Sequence, residues 1–170
     1  MSYLSTLLKS VHRKNDFDCG KAMLNSYLQQ QANQDMQRHL SVCFVIVDND
    51  GQVKGYYTLS NAGIDRDLIP EHIKNKLPKS YSNLPVTLLG RLARDKKYKG
   101  ERLGEILLLD ALKRCYDTSA TVGSMAVVVD PIDEEAKNFY LKYGFVLLPD
   151  SRKLFLTMKT IGNLFEKVPR

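Results

Sequence analysis

Between Pro85 and Tyr116 the hydrophobic period changes, and that change constrains the fold more than any other feature of the chain. Pro85-Val86-Thr87-Leu88-Leu89-Gly90-Arg91-Leu92-Ala93 reads as a strand. Leu108, Leu109, Leu112, Cys115 and Tyr116 then line one face of a helix over 104–118. A basic turn joins the two: Lys96-Lys97-Tyr98-Lys99-Gly100-Glu101-Arg102-Leu103-Gly104. A strand that passes through such a turn into a helix N-terminus makes an anion site, because unpaired backbone N–H groups and the positive dipole end point at one place. Gly100 and Gly104 let the backbone approach closely, and Arg94, Lys96, Lys97, Lys99 and Arg102 add charge. A pyrophosphate is the natural guest. The alternative is a solvated basic loop capping a helix, since the dipole at an exposed terminus contributes only ~0.3–1 kcal/mol. Neither GxxxxGK[ST] nor GxGxxG is present, so nucleotide hydrolysis and hydride transfer lack their main signal.

The flanking sequence supplies further strands and helices. Leu4–Val11 reads as a short first strand, and Asp18 as the N-cap of a helix carrying Met23, Leu24, Tyr27 and Leu28 towards Met36. Val42–Val47 is a buried strand, and Asp48-Asn49-Asp50-Gly51 turns it back into Val53–Ala62. Residues 65–83 are loop-like, with one short helix predicted over Glu71–Lys76. Met125–Val129 is apolar throughout, as expected of a strand covered on both faces. Asp133 caps a helix over Glu134–Tyr143 that Gly144 closes, and Phe145–Leu148 and Leu154–Met158 are the last strands. The order β-α-β-β-β-α-β-α-β-β predicts a mixed sheet with helices on its faces. With no repeat, low-complexity tract or linker, residues 1–170 are expected to form a single domain.

Several function classes lose support here. Cys19, Cys43 and Cys115 are odd in number and far apart, and His12, His39 and His72 are scattered, so neither a disulfide framework nor a metal site is expected. Cys43 and Cys115 read as core residues. No apolar run reaches the ~18 residues of a membrane span, and Met1–Lys9 lacks the form of a signal peptide, so a cytoplasmic location is expected. The formal charge of +6 favours polyanionic partners without choosing among them.

Two segments carry a family resemblance. Lys99-Gly100-Glu101-Arg102-Leu103-Gly104 resembles the acyl-CoA loop of the GNAT superfamily, [RQ]-x-x-G-x-[GA], and Ala136-Lys137-Asn138-Phe139-Tyr140-Leu141-Lys142-Tyr143-Gly144-Phe145 is similar to its A-x-x-F-Y-x-x-x-G-F motif. The resemblance implies a mixed, largely antiparallel α/β sheet splayed between the fourth and fifth strands, and an N-acetyltransferase that uses acetyl-CoA as co-substrate and no metal. It places Leu92, Ala93 and Arg94 at the pantetheine arm and acetyl carbonyl, and Lys99, Gly100, Arg102, Gly104 and Glu105 around the pyrophosphate. Asn138 becomes a CoA contact, and Tyr140 the general acid that protonates the departing thiolate. From its surroundings alone Tyr140 reads as a core aromatic beside Phe139; the motif is what gives it a catalytic role. Arg102 departs from the loop pattern, which has glycine there. Either the loop avoids a positive φ, or Arg102 is kept as a phosphate ligand. No general base is evident.

The N-terminal half resembles one subgroup more closely. Phe17-Asp18-Cys19-Gly20, Leu24, Tyr27-Leu28, Ala32, Ser41–Val45, Gly55–Ser60 and Leu89–Ala93 are similar to bacterial toxins that acetylate the α-amino group of aminoacyl-tRNA. That resemblance implies a tRNA partner, a ribbon-helix-helix antitoxin and a homodimer, with Cys19-Gly20 structural. Lys74, Lys76, Lys79, Arg152, Lys153, Lys159, Lys167 and Arg170 supply basic groups suited to tRNA. Two other readings stand beside it: a GNAT enzyme for a small amine or protein N-terminus, and an inactive CoA- or RNA-binding module.

Overall fold

The computed structural model describes residues 2–166. In chain order they form β1 (Thr6–Leu7), α1 (Ala22–Ser26), a π-helical turn (Tyr27–Gln31), α2 (Ala32–Gln37), β2 (Val42–Val47), β3 (Val53–Asp65), α3 (Glu71–Lys74), β4 (Asn83–Arg94), α4 (Leu103–Ser119), β5 (Ala126–Val129), α5 (Glu134–Lys142), β6 (Val146–Leu147), β7 (Leu154–Thr157) and α6 (Met158–Glu166). The strand order is β1-β2-β3-β4-β5-β7-β6. Pairing is antiparallel for β1–β2, β2–β3, β5–β7 and β7–β6, and parallel for β4–β5, as a mixed, largely antiparallel sheet requires. The β4–β5 register covers Thr87–Val127 and Leu88–Val128, whereas β4 runs on to Arg94. The chain divides into two compact units, Met1–Ser60 with Leu89–Arg114, and Asn61–Leu88 with Cys115–Arg170.

In the first unit, alternation along β3 sorts the helices onto opposite faces. Tyr56 points at α1, where its hydroxyl donates to the Leu24 carbonyl at 2.7 Å. Its neighbours Gly55 and Tyr57 meet α4 instead, at Leu107 and Asp110. Leu24, Tyr27, Leu28, Val45, Val53, Tyr56 and Ala93 share one buried cluster, in which each fully buried leucine contributes roughly 1.5–3 kcal/mol. The hairpin turn is fixed by Asp48, whose Oδ1 accepts from the N–H groups of Asp50 and Gln52, both at 2.9 Å. Two expectations need correction. The first strand is only Thr6–Leu7. Asp18 is not the helix N-cap either: the chain turns at Gly20, with φ +87°, and α1 starts at Ala22 after Lys21.

The second unit packs Ile64, Ile69, Leu84, Val86, Ala126, Val128, Leu148 and Phe155 together, and β5 is buried at every residue. The loop-like stretch is organised by Arg66, whose guanidinium donates to the carbonyls of Pro78 at 2.6 Å, Lys74 at 3.0 Å and Leu77 at 3.1 Å. The last strand ends one residue before Met158, because Thr157 begins a helix absent from the expected order. Its Oγ1 accepts from the Thr160 N–H at 3.3 Å, and α6 follows. Gly162 lets α6 lie against Tyr116, where an added Cβ would come within 2.8 Å of the ring. Lys167 and Arg170 lie outside the described residues.

Candidate active site

The end of β4 is held to its neighbours by backbone contacts and one buried acid. Asp95, 1% exposed, accepts from the Lys97 N–H at 2.9 Å and the Asp18 N–H at 3.1 Å, and its own N–H donates to the Lys54 carbonyl at 2.8 Å. It caps the single turn Lys96–Tyr98 and fastens it to residue 18. Lys96 continues the clamp, with its N–H on the Asp18 carbonyl at 2.9 Å and its ammonium 2.8 Å from the Asp18 carboxylate. That ammonium, together with the Gly20 N–H and the Asn25 amide, holds the Asp18 carboxyl down to about 2. Gly55 completes the fit: a Cβ there would stand 2.7 Å from Leu107 Cδ1 and 3.1 Å from the Ala93 carbonyl.

After this clamp the turn takes two left-handed steps. Gly100 has φ +91° and Arg102 has φ +56°, and α4 begins at Leu103. The loop therefore takes a positive φ at Arg102, and of the two accounts of that residue avoidance is excluded. A non-glycine residue in this region costs roughly 1–2 kcal/mol. The Arg102 carbonyl accepts the Ile106 N–H at 3.0 Å, so the first N–H groups of α4 have no acceptor within the helix. Lys97, Lys99 and Arg102 are exposed around them, Arg94, Gly104 and Glu105 are half-buried, and Ala93 is buried. These residues, with Leu92, form one continuous stretch of the first unit.

Asn138 and Tyr140 belong to the second unit, on α5. The Asp133 carboxylate accepts from the Ala136 N–H at 2.8 Å and starts the helix, and Gly144, φ +93°, ends it as expected. Asn138 is exposed. Tyr140 is 6% exposed, edge-on to Phe139 and to Phe145 with both centroid separations 5.3 Å. Burial pushes its phenol up. It stays protonated at neutral pH, in the state an acid must have, but gives its proton up less readily than an exposed tyrosine.

No protein-family model matches the chain. It is 35% identical over 144 residues to a tRNA-acetylating toxin of Mycobacterium tuberculosis, a match that spans 84% of each protein. This chain belongs to that family of GNAT-fold toxins. Among solved toxin structures, a tyrosine-to-phenylalanine mutant of KacT matches with a TM-score of 0.87 at 31% identity, covering 95% of this chain and 99% of that one. AtaT complexed with acetyl-methionyl-tRNAfMet matches at 0.88 and 29%, covering 96% and 99%.

Two residues that shape the β4–α4 turn, Asp95 and Gly55, escaped the sequence reading. Asp95 had a visible signal, an aspartate directly before a one-turn helix. Gly55 had none, since its role is a close approach between elements far apart in sequence. Lys74, assigned to a basic surface, is ion-paired with Asp67 at 3.3 Å and Glu71 at 3.8 Å. Lys76, Lys79, Arg152, Lys153 and Lys159 are exposed. Among the described residues no helix is long and apolar enough to cross a membrane, and no group of three or more His, Cys, Asp or Glu side chains is placed to hold a metal.

Proposed function

We infer that this protein is a toxin that transfers acetyl from acetyl-CoA to the α-amino group of aminoacyl-tRNA. The observation that carries the reading is the 35% identity to a tRNA-acetylating toxin across 84% of both chains. The left-handed residues Gly100 and Arg102, just before α4, support it as the turn of a backbone anion cradle. The relatives extend it: AtaT has been solved with acetyl-CoA and with an antitoxin segment, and KacT as a toxin–antitoxin complex on DNA. An antitoxin partner for this chain follows, with a ribbon-helix-helix part and a homodimer as the finer proposals. We take residues 1–170 as one catalytic domain, because β3, β4 and α4 each run from one compact unit into the other.

The chemistry assigns each group a task. Backbone N–H groups of Lys99, Gly100, Arg102, Gly104 and Glu105, with the positive side chains of Lys99 and Arg102, hold the pyrophosphate. Backbone N–H groups of Leu92 to Arg94 bind the pantetheine arm and stabilise the oxyanion as the amine nitrogen attacks the thioester carbon. Collapse breaks the carbon–sulfur bond, Tyr140 gives its proton to the leaving thiolate, and the proton lost by the new amide nitrogen returns to Tyr140 through solvent. Asn138 contacts CoA. An α-amino group with a pKa near 7.7 is roughly one-third neutral near pH 7.4, enough that the reaction needs no strong base.

The test is transfer of labelled acetyl from acetyl-CoA to bulk charged tRNA, wild type beside Tyr140→Phe. Label on tRNA that falls at least a hundredfold in the mutant supports enzyme class, acceptor and general acid together. Turnover on small amines with none on tRNA would leave an acetyltransferase and remove the toxin reading.

A further inference from the structure

Arg91 is a half-buried cation that Tyr27 positions and that has no acidic partner among the described residues. Its guanidinium lies over the Tyr27 ring, 3.5 Å from the centroid. The ring is itself fixed, 5% exposed, with its hydroxyl donating to Asp35 Oδ2 at 2.8 Å and its face stacked on Tyr56 at 6.3 Å. Among the described residues no carboxylate lies within ion-pair distance of Arg91, and its five N–H donors meet no protein acceptor. Among the described residues the buried side-chain atoms without a partner are Gln52 Nε2 and Thr58 Oγ1 and no nitrogen of Arg91, so its donors open to water and are free to take a ligand. Stacking satisfies the flat face of a guanidinium and leaves its edge, the part that forks onto phosphate, unused.

A neighbouring feature marks the same spot. Tyr27 opens a five-residue π-helical turn, a rare distortion that concentrates at functional sites. All of these residues belong to the first unit. Leu92, next in sequence, begins the backbone segment assigned above to the acetyl group.

We propose that Arg91 is the acceptor-side phosphate contact, its guanidinium edge receiving the phosphate of the terminal nucleotide of the charged tRNA. The proposal rests on the aminoacyl-tRNA reading. In that acceptor the reactive amine sits on the terminal ribose, and the nearest fixed negative charge is that nucleotide's phosphate. Tyr27 and Asp35 are positioning residues that hold the guanidinium flat.

The experiment compares wild type, Arg91→Gln and Arg91→Lys on charged tRNA and on an aminoacyl methyl ester, which has the amine but no phosphate. The wild-type arm alone tests the parent reading: ester turnover without tRNA turnover would remove it. With tRNA turnover in hand, Arg91→Gln is expected to raise the tRNA KM at least tenfold, leaving the acetyl-CoA KM and ester turnover unchanged. Arg91→Lys, which keeps the charge but loses the fork, should fall between and serves as the folded control. Binding of uncharged tRNA across a salt series should show a log–log slope smaller by ~0.7–0.9 for Arg91→Gln, the signature of one lost phosphate contact. An unchanged tRNA KM and slope would overturn the proposal, as would equal losses on ester and tRNA, which would make Arg91 a packing residue.

Discussion

The β4–α4 turn and helix α5 solve different problems with different parts of the residue. In the proposed reaction the turn presents backbone N–H groups, held in shape by the Asp95 carboxylate and by the absence of a side chain at Gly55 on β3. Helix α5 presents one side chain, Tyr140, buried among aromatic rings that adjust its acidity. A backbone site tolerates changes of side chain but not of conformation. A side-chain site tolerates small shifts of backbone but not loss of one atom. The sharpest break of this comparison is Tyr140→Phe, which removes one oxygen and leaves the aromatic packing. A loss of turnover of ~10²–10⁴-fold is expected, with acetyl-CoA affinity and melting temperature near wild type. Steady-state kinetics beside calorimetric binding measures both, and a matching loss of cofactor affinity would assign Tyr140 to binding instead.

The pH profile sharpens the same side. Burial raises the Tyr140 phenol, so its deprotonation lies above the ordinary tyrosine range near pH 10. Turnover should rise as the acceptor amine loses its proton near pH 7.7 and then stay level to pH ~9.5. An alkaline limb centred below pH 9 would mean that another group is the acid.

On the backbone side the next largest effect belongs to Gly55→Val. Its Cβ would press on Leu107 and on the Ala93 carbonyl, so β4 and α4 must part or distort. Overpacking of this kind costs roughly 1–3 kcal/mol, and here it also displaces the N–H groups of residues 92–94. Thermal melting and the acetyl-CoA KM should therefore worsen together. Asp95→Ala follows. Loss of the cap costs about 1 kcal/mol and frees the turn from residue 18, so the acetyl-CoA KM should rise several-fold while turnover at saturation changes little.

The comparison also explains what was legible in the sequence. Helix α5 was readable almost to the residue, because Asp133 and Gly144 punctuate it and its motif is contiguous. Strand β2 was found at its observed ends because β-branched residues and the Asp48–Gly51 turn act locally. Asp18 misled, since an aspartate before an amphipathic run is a good cap by every local rule. Only the fold brings Lys96 to it, 78 positions away in sequence, and turns the carboxylate aside. Helix α6 was missed because Thr157 serves both as the last residue of a strand and as a cap. Arg91 over Tyr27 depends on a pairing of distant elements that no local pattern encodes.

The smallest expected effect discriminates best between conformation and charge. Arg102 occupies a left-handed position, φ +56°, where the family pattern has glycine. Arg102→Gly would remove a strain of roughly 1–2 kcal/mol, offset by the ~0.5–1 kcal/mol by which glycine's freedom favours the unfolded chain. A rise in stability of up to about 1.5 kcal/mol is the net expectation, read as a higher urea midpoint at unchanged slope. If Arg102 is held there as a phosphate ligand, the same change weakens acetyl-CoA binding several-fold, and dephospho-CoA or pantetheine substrates show which phosphate it served. Gain of stability with loss of affinity would mark a residue kept in strain for its charge. Gain of stability with affinity intact would return the site to backbone alone.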